Sequence, residues 1–146
     1  MHVRAELRAA IVTALTGLPL TGPRVFTGRV QPVPDMPAIV VNTVDETAEP
    51  RTLYSPTLVE RVVEIEVTCM AKAAIGIANT LDEIALNVEA ALGSNIVVSG
   101  VNVPIAYTRA EIEYSGEADQ PIGRAILTFS ATLYSLAASP GTLANG

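Results

Sequence analysis

The stretch "VVEIEVTCMA", residues 62–71, alternates without a slip: Val63, Ile65, Val67, Cys69 and Ala71 fall on one side, Glu64, Glu66 and Thr68 on the other. Successive side chains of a β-strand point to opposite faces, so a period of two predicts a strand with one covered face and one wet face. A second segment of this kind lies at about 123–136, where Ala125, Leu127, Phe129, Ala131 and Leu133 alternate with Arg124, Thr128, Ser130 and Thr132. Two half-covered strands demand a sheet with an apolar layer laid on it, which restricts the chain to a few layered folds.

The covering elements are legible as helices. Val3, Leu7, Ile11, Ala14, Leu15 and Leu18 recur at spacings of three and four, which predicts an amphipathic helix over 2–16, ended by Gly17 and Pro19. Ile77, Leu81, Ile84, Ala85, Val88 and Leu92 make the stripe of a second helix over roughly 73–92. Gly93 stands where a helix C-terminal glycine belongs, and Gly76 weakens the first turn, so the start falls nearer Asn79.

Further strands are expected at about 24–30 and 38–44. The connection "NIVVSGVNVP", 95–104, has room for a short strand, and a strand from Ile105 meets 123–136 through a turn at "SGEADQP". "DETAEPRTLYSPT", 45–57, is polar, holds two prolines and has no period. It reads as a long loop, mobile until a partner orders it. Residues 137–146 are small and polar and are expected as a flexible tail after one domain spanning 1–136. The order α-β-β-β-α-β-β predicts an α+β fold: a mostly antiparallel sheet of about 4–5 strands with two helices packed on one face.

A chain of 146 residues buries roughly 70% of its unfolded surface, so no disulfide or metal staple is needed. Charged residues are 16% of the chain and apolar ones 49%, against about 25% charged in an ordinary soluble domain. Part of the apolar surplus is therefore expected between subunits. The net charge of −6 opposes a grip on nucleic acid by phosphate neutralisation, and opposes a polybasic membrane contact. Cys69 is the single cysteine and can form no internal disulfide. No apolar run is long enough to span a membrane. Arg4, Glu6 and Arg8 interrupt the N-terminal apolar residues, so no signal peptide is read there.

Catalytic chemistry finds few residues to use. His2 is the one histidine and stands at a terminus, where chains fray. Cys69, on the apolar side of its strand, reads as a buried thiol. One histidine and one cysteine make no zinc set, and Gly22, Gly28 and Gly100 stand too far apart for a phosphate loop. The pairs Glu64/Glu66 and Glu111/Glu113 each project from one face of a strand. A hydrolase would need such carboxylates buried and facing each other across a cleft; here they read as a solvated or interface-lining face. Leu53 and Tyr54, apolar residues in a polar loop, are the candidate docking anchors for a partner. No catalytic residue, metal or cofactor is expected. A small enzyme or ligand-binding module is the remote alternative.

Four pieces of the chain, in order, carry a resemblance: "ELRAAIVTALTGLPLTGPRVF"; "RVQPVPDMPAIVV", a proline-bearing lead-in that ends in a strand; "LVERVVEIEVTCMAKA" running on to "TLDEIALNVEAAL"; and "IEYSGEADQPIGRAILTFSATLY", two strands about a turn. Together they resemble the tail terminator family of long-tailed bacteriophages, the lambda-type minor tail protein U and its prophage relatives. The stretch after Tyr134 is longer than that pattern needs.

The resemblance implies a structural virion protein at the head-proximal end of the tail. Such a protein forms a homohexameric ring on the tail tube, stops tube growth and offers the surface that joins a head completion or connector protein. Another head-tail joining or neck completion protein is the nearest alternative. In such a ring the proline-rich segment before Ala38 is a stiff surface connection. DNA would pass through without specific binding. Glu64, Glu66, Glu111 and Glu113, with Arg109 among them, then either line the channel or meet Arg61, Arg109 or Arg124 of a neighbouring subunit.

Overall fold

The structure, a computed structural model, describes residues 1–28, 36–52, 56–72, 76–93, 95–115 and 122–144. Helix α1 spans Val3–Leu15 and buries Val3, Leu7, Ile11 and Leu15, the stripe expected from the sequence. Helix α2 spans Ile77–Leu92 and buries Leu81, Ile84, Val88 and Leu92. Gly76 precedes it with φ of 72°, a left-handed turn that glycine enters without strain, and the Gly93 N–H closes its far end on the Glu89 carbonyl at 3.0 Å.

The strands are β1 (Val25–Thr27), β2 (Ala38–Pro50), β3 (Leu58–Lys72), β4 (Asn95–Val98), β5 (Val101–Ser115), β6 (Ile122–Leu136) and β7 (Ser139–Leu143). They lie in the order β1-β2-β3-β6-β5-β4, with β7 paired to β6. The β1–β2 pair is parallel and the other pairs are antiparallel.

This overturns the expected α+β sheet of four or five strands with two helices on one face. The fold is mostly sheet, 58% strand among the described residues, which form seven strands in a curled half-barrel. The discrepancy has a physical source. Strands β3, β5 and β6 each run 15 residues and β2 runs 13, well past the stretch that the helices cover. On β2 and β5 the residues beyond that cover are mostly exposed and the period of two fades, whereas β6 alternates to its end. Strand β7 is short and largely exposed, so it leaves little pattern to read, and β4, whose Ile96 and Val98 enter the core, is too short to be read as more than room for a strand. Register shifts at Thr43/Asp45 in β2 and Tyr107/Arg109 in β5 insert an extra residue. Such bulges bend a strand and increase its twist, which suits a curled sheet.

The stretch read as a loop over 45–57 is corrected in part. Asp45–Pro50 continues β2 and pairs residue by residue with β3 from Glu64 back to Val59. At the end of this hairpin the Arg51 N–H bonds the Leu58 carbonyl at 2.7 Å, and the Arg51 side chain pairs with Glu60. In the stretch expected as a tail, Ser139–Leu143 forms β7, and Gly141 lies so close to the N-terminus that an added Cβ would stand 2.6 Å from the Met1 carbonyl oxygen.

One core joins all of this. The buried stripes of α1 and α2 meet Ile39 and Val41 of β2, Val63 to Ala71 of β3 and Ala125 to Leu133 of β6. Helix α2 lies close over the start of β6: a Cβ at Gly123 would stand 2.8 Å from the Leu81 side chain.

Candidate functional site

The register assembles the predicted carboxylates on the sheet face turned away from the helices. Glu66 of β3 stands between Asn42 of β2 and Thr128 of β6, and Thr128 in turn faces Arg109 of β5. In the next row Asp45, Glu64, Ser130 and Ala106 run across the same four strands. On β5, Glu111 opposes Ile126 and Glu113 opposes Arg124. Glu64, Glu111, Glu113 and Arg109 are exposed and Glu66 is half-buried. Arg109 reaches Glu111 at 3.7 Å along its own strand. Alternation places Asp45, Glu49 and Glu60 on this face too, against the cations Lys72, Arg109 and Arg124 and against Arg51, which pairs with Glu60 and lies 3.8 Å from Glu49. Acid therefore outweighs base across the whole surface.

Arg61 belongs to the opposite face. Its guanidinium donates to Glu46 Oε2 at 3.0 Å and to Ser135 Oγ at 2.9 Å. Arg4 of α1 donates to the other oxygen of Glu46 at 2.8 Å. Burial pushes the Glu46 carboxyl up, but the hydrogen bonds and charges of Arg4 and Arg61 outweigh it and hold the group below its ordinary value. His2 caps α1: its Nδ1 accepts the Arg4 backbone N–H at 3.1 Å. Thus the isolated histidine has a structural task at the entry to α1, which its terminal position concealed.

Cys69 is buried, and desolvation pushes its thiol up to about 12, so the thiolate that nucleophilic chemistry needs is not formed near neutrality. Among the described residues no three histidine, cysteine or acidic side chains group so as to hold a metal ion. No helix among the described residues is long and apolar enough to cross a membrane. The docking candidates Leu53 and Tyr54, the proline-rich segment from residue 29 to 35, and most of the "SGEADQP" turn lie outside the described residues.

The sequence reading missed the sheet edges. From Ile105 to Ser115, β5 pairs with β6 on one side, while β4 pairs only with Val101–Pro104. Among the described residues nothing pairs with the outer side of that long stretch. On the helix side of the same stretch Tyr107, Ile112 and Tyr114 are 47%, 52% and 54% exposed. Tyr107 leans on the buried Phe129 with ring centroids 5.5 Å apart. At the other end of the sheet β1 covers only Ile39–Val41, which leaves the outer side of β2 from Asn42 to Pro50 open among the described residues. The spacing gave no signal of this stripe, because Tyr107 and Ile112 stand five apart and only the bulge between Tyr107 and Arg109 brings them to one face.

A chain in the virion of a native gene transfer agent particle is similar in structure, with a TM-score of 0.55 over 92% of this chain and 92% of that one, at 23% identity. At this identity the likeness establishes the fold, over nearly the whole length of both chains. No protein-family model matches the sequence, and no curated protein does.

Proposed function

We propose that this chain is a structural virion protein that works by assembly rather than by catalysis. Its finer role in this reading is that of a tail terminator: a homohexameric ring that seats on the last ring of the tail tube, ends its growth and presents the surface for a head connector. The observation that carries the proposal is the end-to-end fold likeness to a chain of a gene transfer agent virion. Two further features support it. The order of the four sequence pieces resembles tail terminators, and the described surface concentrates its unusual features on an acidic sheet face and two open edges. Capping then follows from asymmetry: one ring face imitates the tube's own repeat, and the other accepts no further ring.

Electron microscopy of the purified chain mixed with tail tubes tests this. A ring at one end of each tube, with tube length no longer increasing, is the expected result. A ring found only on portal-bearing heads would make the chain a neck completion protein instead, and the absence of any ring would remove both roles.

A further inference from the structure

We propose that the open edge of β5, with Tyr107, Ile112 and Tyr114 beside it, pairs with the open edge of β2 in a second copy of this chain. This rests on the ring reading and names the surfaces that would build it. The starting point is the edge itself. Among the described residues nothing pairs with the outer edge of 105–115, and a long open edge is a template for another strand. Soluble proteins blunt such edges with proline, charged residues (lysine above all), bulges or brevity; this edge carries a bulge at Tyr107/Arg109 and the charges of Arg109, Glu111 and Glu113, but it is long. Between Ile105 and Ser115 there is neither proline nor lysine, and the apolar stripe on the helix side makes the edge more adhesive still.

The occupant follows from the topology. The chain has one other long open edge among its described residues, Asn42–Pro50, at the far end of the same sheet. Strands β2, β3, β6 and β5 are neighbours in that order and every pair is antiparallel. Three reversals make β5 antiparallel to β2. A copy rotated about an axis along the strands therefore offers its β2 to β5 in the antiparallel sense that the rest of the sheet uses. Charge agrees in part: with the rows of the sheet kept level, Arg109, the one cation on the β5 edge, faces Asn42 of the copy and has Asp45 one row away on the same face. Glu111 and Glu113 oppose the pairing, so it should strengthen as salt screens them. The contact joins two different surfaces, so it closes into a ring when the rotation allows.

The test uses the full chain with cysteines placed on the two edges in separate copies: Asn42→Cys or Asp45→Cys in one, Ala106→Cys or Arg109→Cys in the other, joined by a short bismaleimide. Cross-links that form only in the mixture are expected. Ile112→Lys should weaken assembly by about tenfold or more while the circular dichroism and melting temperature of the monomer stay unchanged, since the side chain is half exposed. Rings visible by microscopy but without the mixed cross-link, or with Ile112→Lys assembling normally, overturn the proposal and leave the ring reading standing. Cross-links between two β5 strands only, with a stable dimer, overturn it in favour of a two-fold contact. Neither rings nor cross-links with tubes present would end both.

Discussion

Arg61 on β3 and Glu46 on β2 meet at 3.0 Å on the helix side of the sheet, and Arg4 of α1 closes on the same carboxylate at 2.8 Å. One acid thus ties the helix to two strands. Glu46→Ala would leave two guanidinium groups without their anion in a part-buried place, at an expected cost of about 1–3 kcal/mol. The sign with pH follows from the lowered carboxyl. Its contribution is full above the ordinary value of 4.5 and is lost as pH falls through the lower folded value. Urea melts of the native chain and Glu46→Gln from pH 7 to 3 should show a steeper acid loss in the native chain. Equal slopes would contradict this account.

His2 sets a second, milder acid response. Burial and the neighbouring Arg4 and Arg61 hold its pKa below 6.5, with Glu46 pulling the other way. The cap needs the imidazole neutral, because Nδ1 accepts the Arg4 N–H. Well above pH 6.5 folded and unfolded chains are both unprotonated and nothing changes. As pH falls through 6.5 the unfolded chain takes its proton first, and stability drops until the folded value is reached. With one histidine in the chain, its proton resonances report the titration directly. His2→Ser keeps a good N-cap and should abolish the drop between pH 7 and 5.5. If the drop persists, another group causes it.

What the sequence disclosed, and what it concealed, divides along the helices. Wherever α1 or α2 covers a strand, the alternation is sharp, as in Val63 to Ala71 and Ala125 to Leu133, and those residues are the observed core. Past the cover the rule has no purchase. Asp45–Pro50 is strand by its hydrogen bonds to β3 while its side chains are mostly exposed, so polarity and Pro50 suggested a loop. The carboxylates Glu64, Glu66, Glu111 and Glu113 were assigned to one face of each strand, but only the register shows that β3 and β5 turn them the same way. The open edges could not be read at all, because an edge is a property of pairing and not of any one strand.

The seat of α2 on β6 is tested at Gly123. A side chain there would press on Leu81 and Ile77, whose nearest atoms would stand 2.8 and 3.0 Å from its Cβ. Those atoms are the ends of flexible side chains, so alanine is expected to be tolerated better than valine. Gly123→Val overfills the contact and should cost about 1–3 kcal/mol. Hydrogen exchange should locate the damage in α2 first. A valine variant as stable as the native chain would mean that α2 can lift from the sheet without loss.

The acidic face decides between two uses of Glu64 and Glu66. If they line a channel, they repel the phosphates of a passing genome, in keeping with the net charge of −6. If they pair with arginines of a neighbouring subunit, they set the register of the ring. The structure narrows the second possibility, because Arg61 is engaged by Glu46 and Ser135 on the other face, which leaves Arg109 and Arg124. Exposed pairs of that kind contribute about 1 kcal/mol or less each, too little to hold a ring unless several act together. The expected outcome for Glu64→Lys with Glu66→Lys is therefore normal assembly. Binding to duplex DNA should appear by fluorescence anisotropy at low salt and weaken steeply as salt rises, since each phosphate contact adds roughly 0.9 to the logarithmic slope. In particles carrying the double variant, genome delivery should slow. Failure of ring formation, with rescue by Arg109→Glu or Arg124→Glu, would assign the two carboxylates to the subunit interface instead.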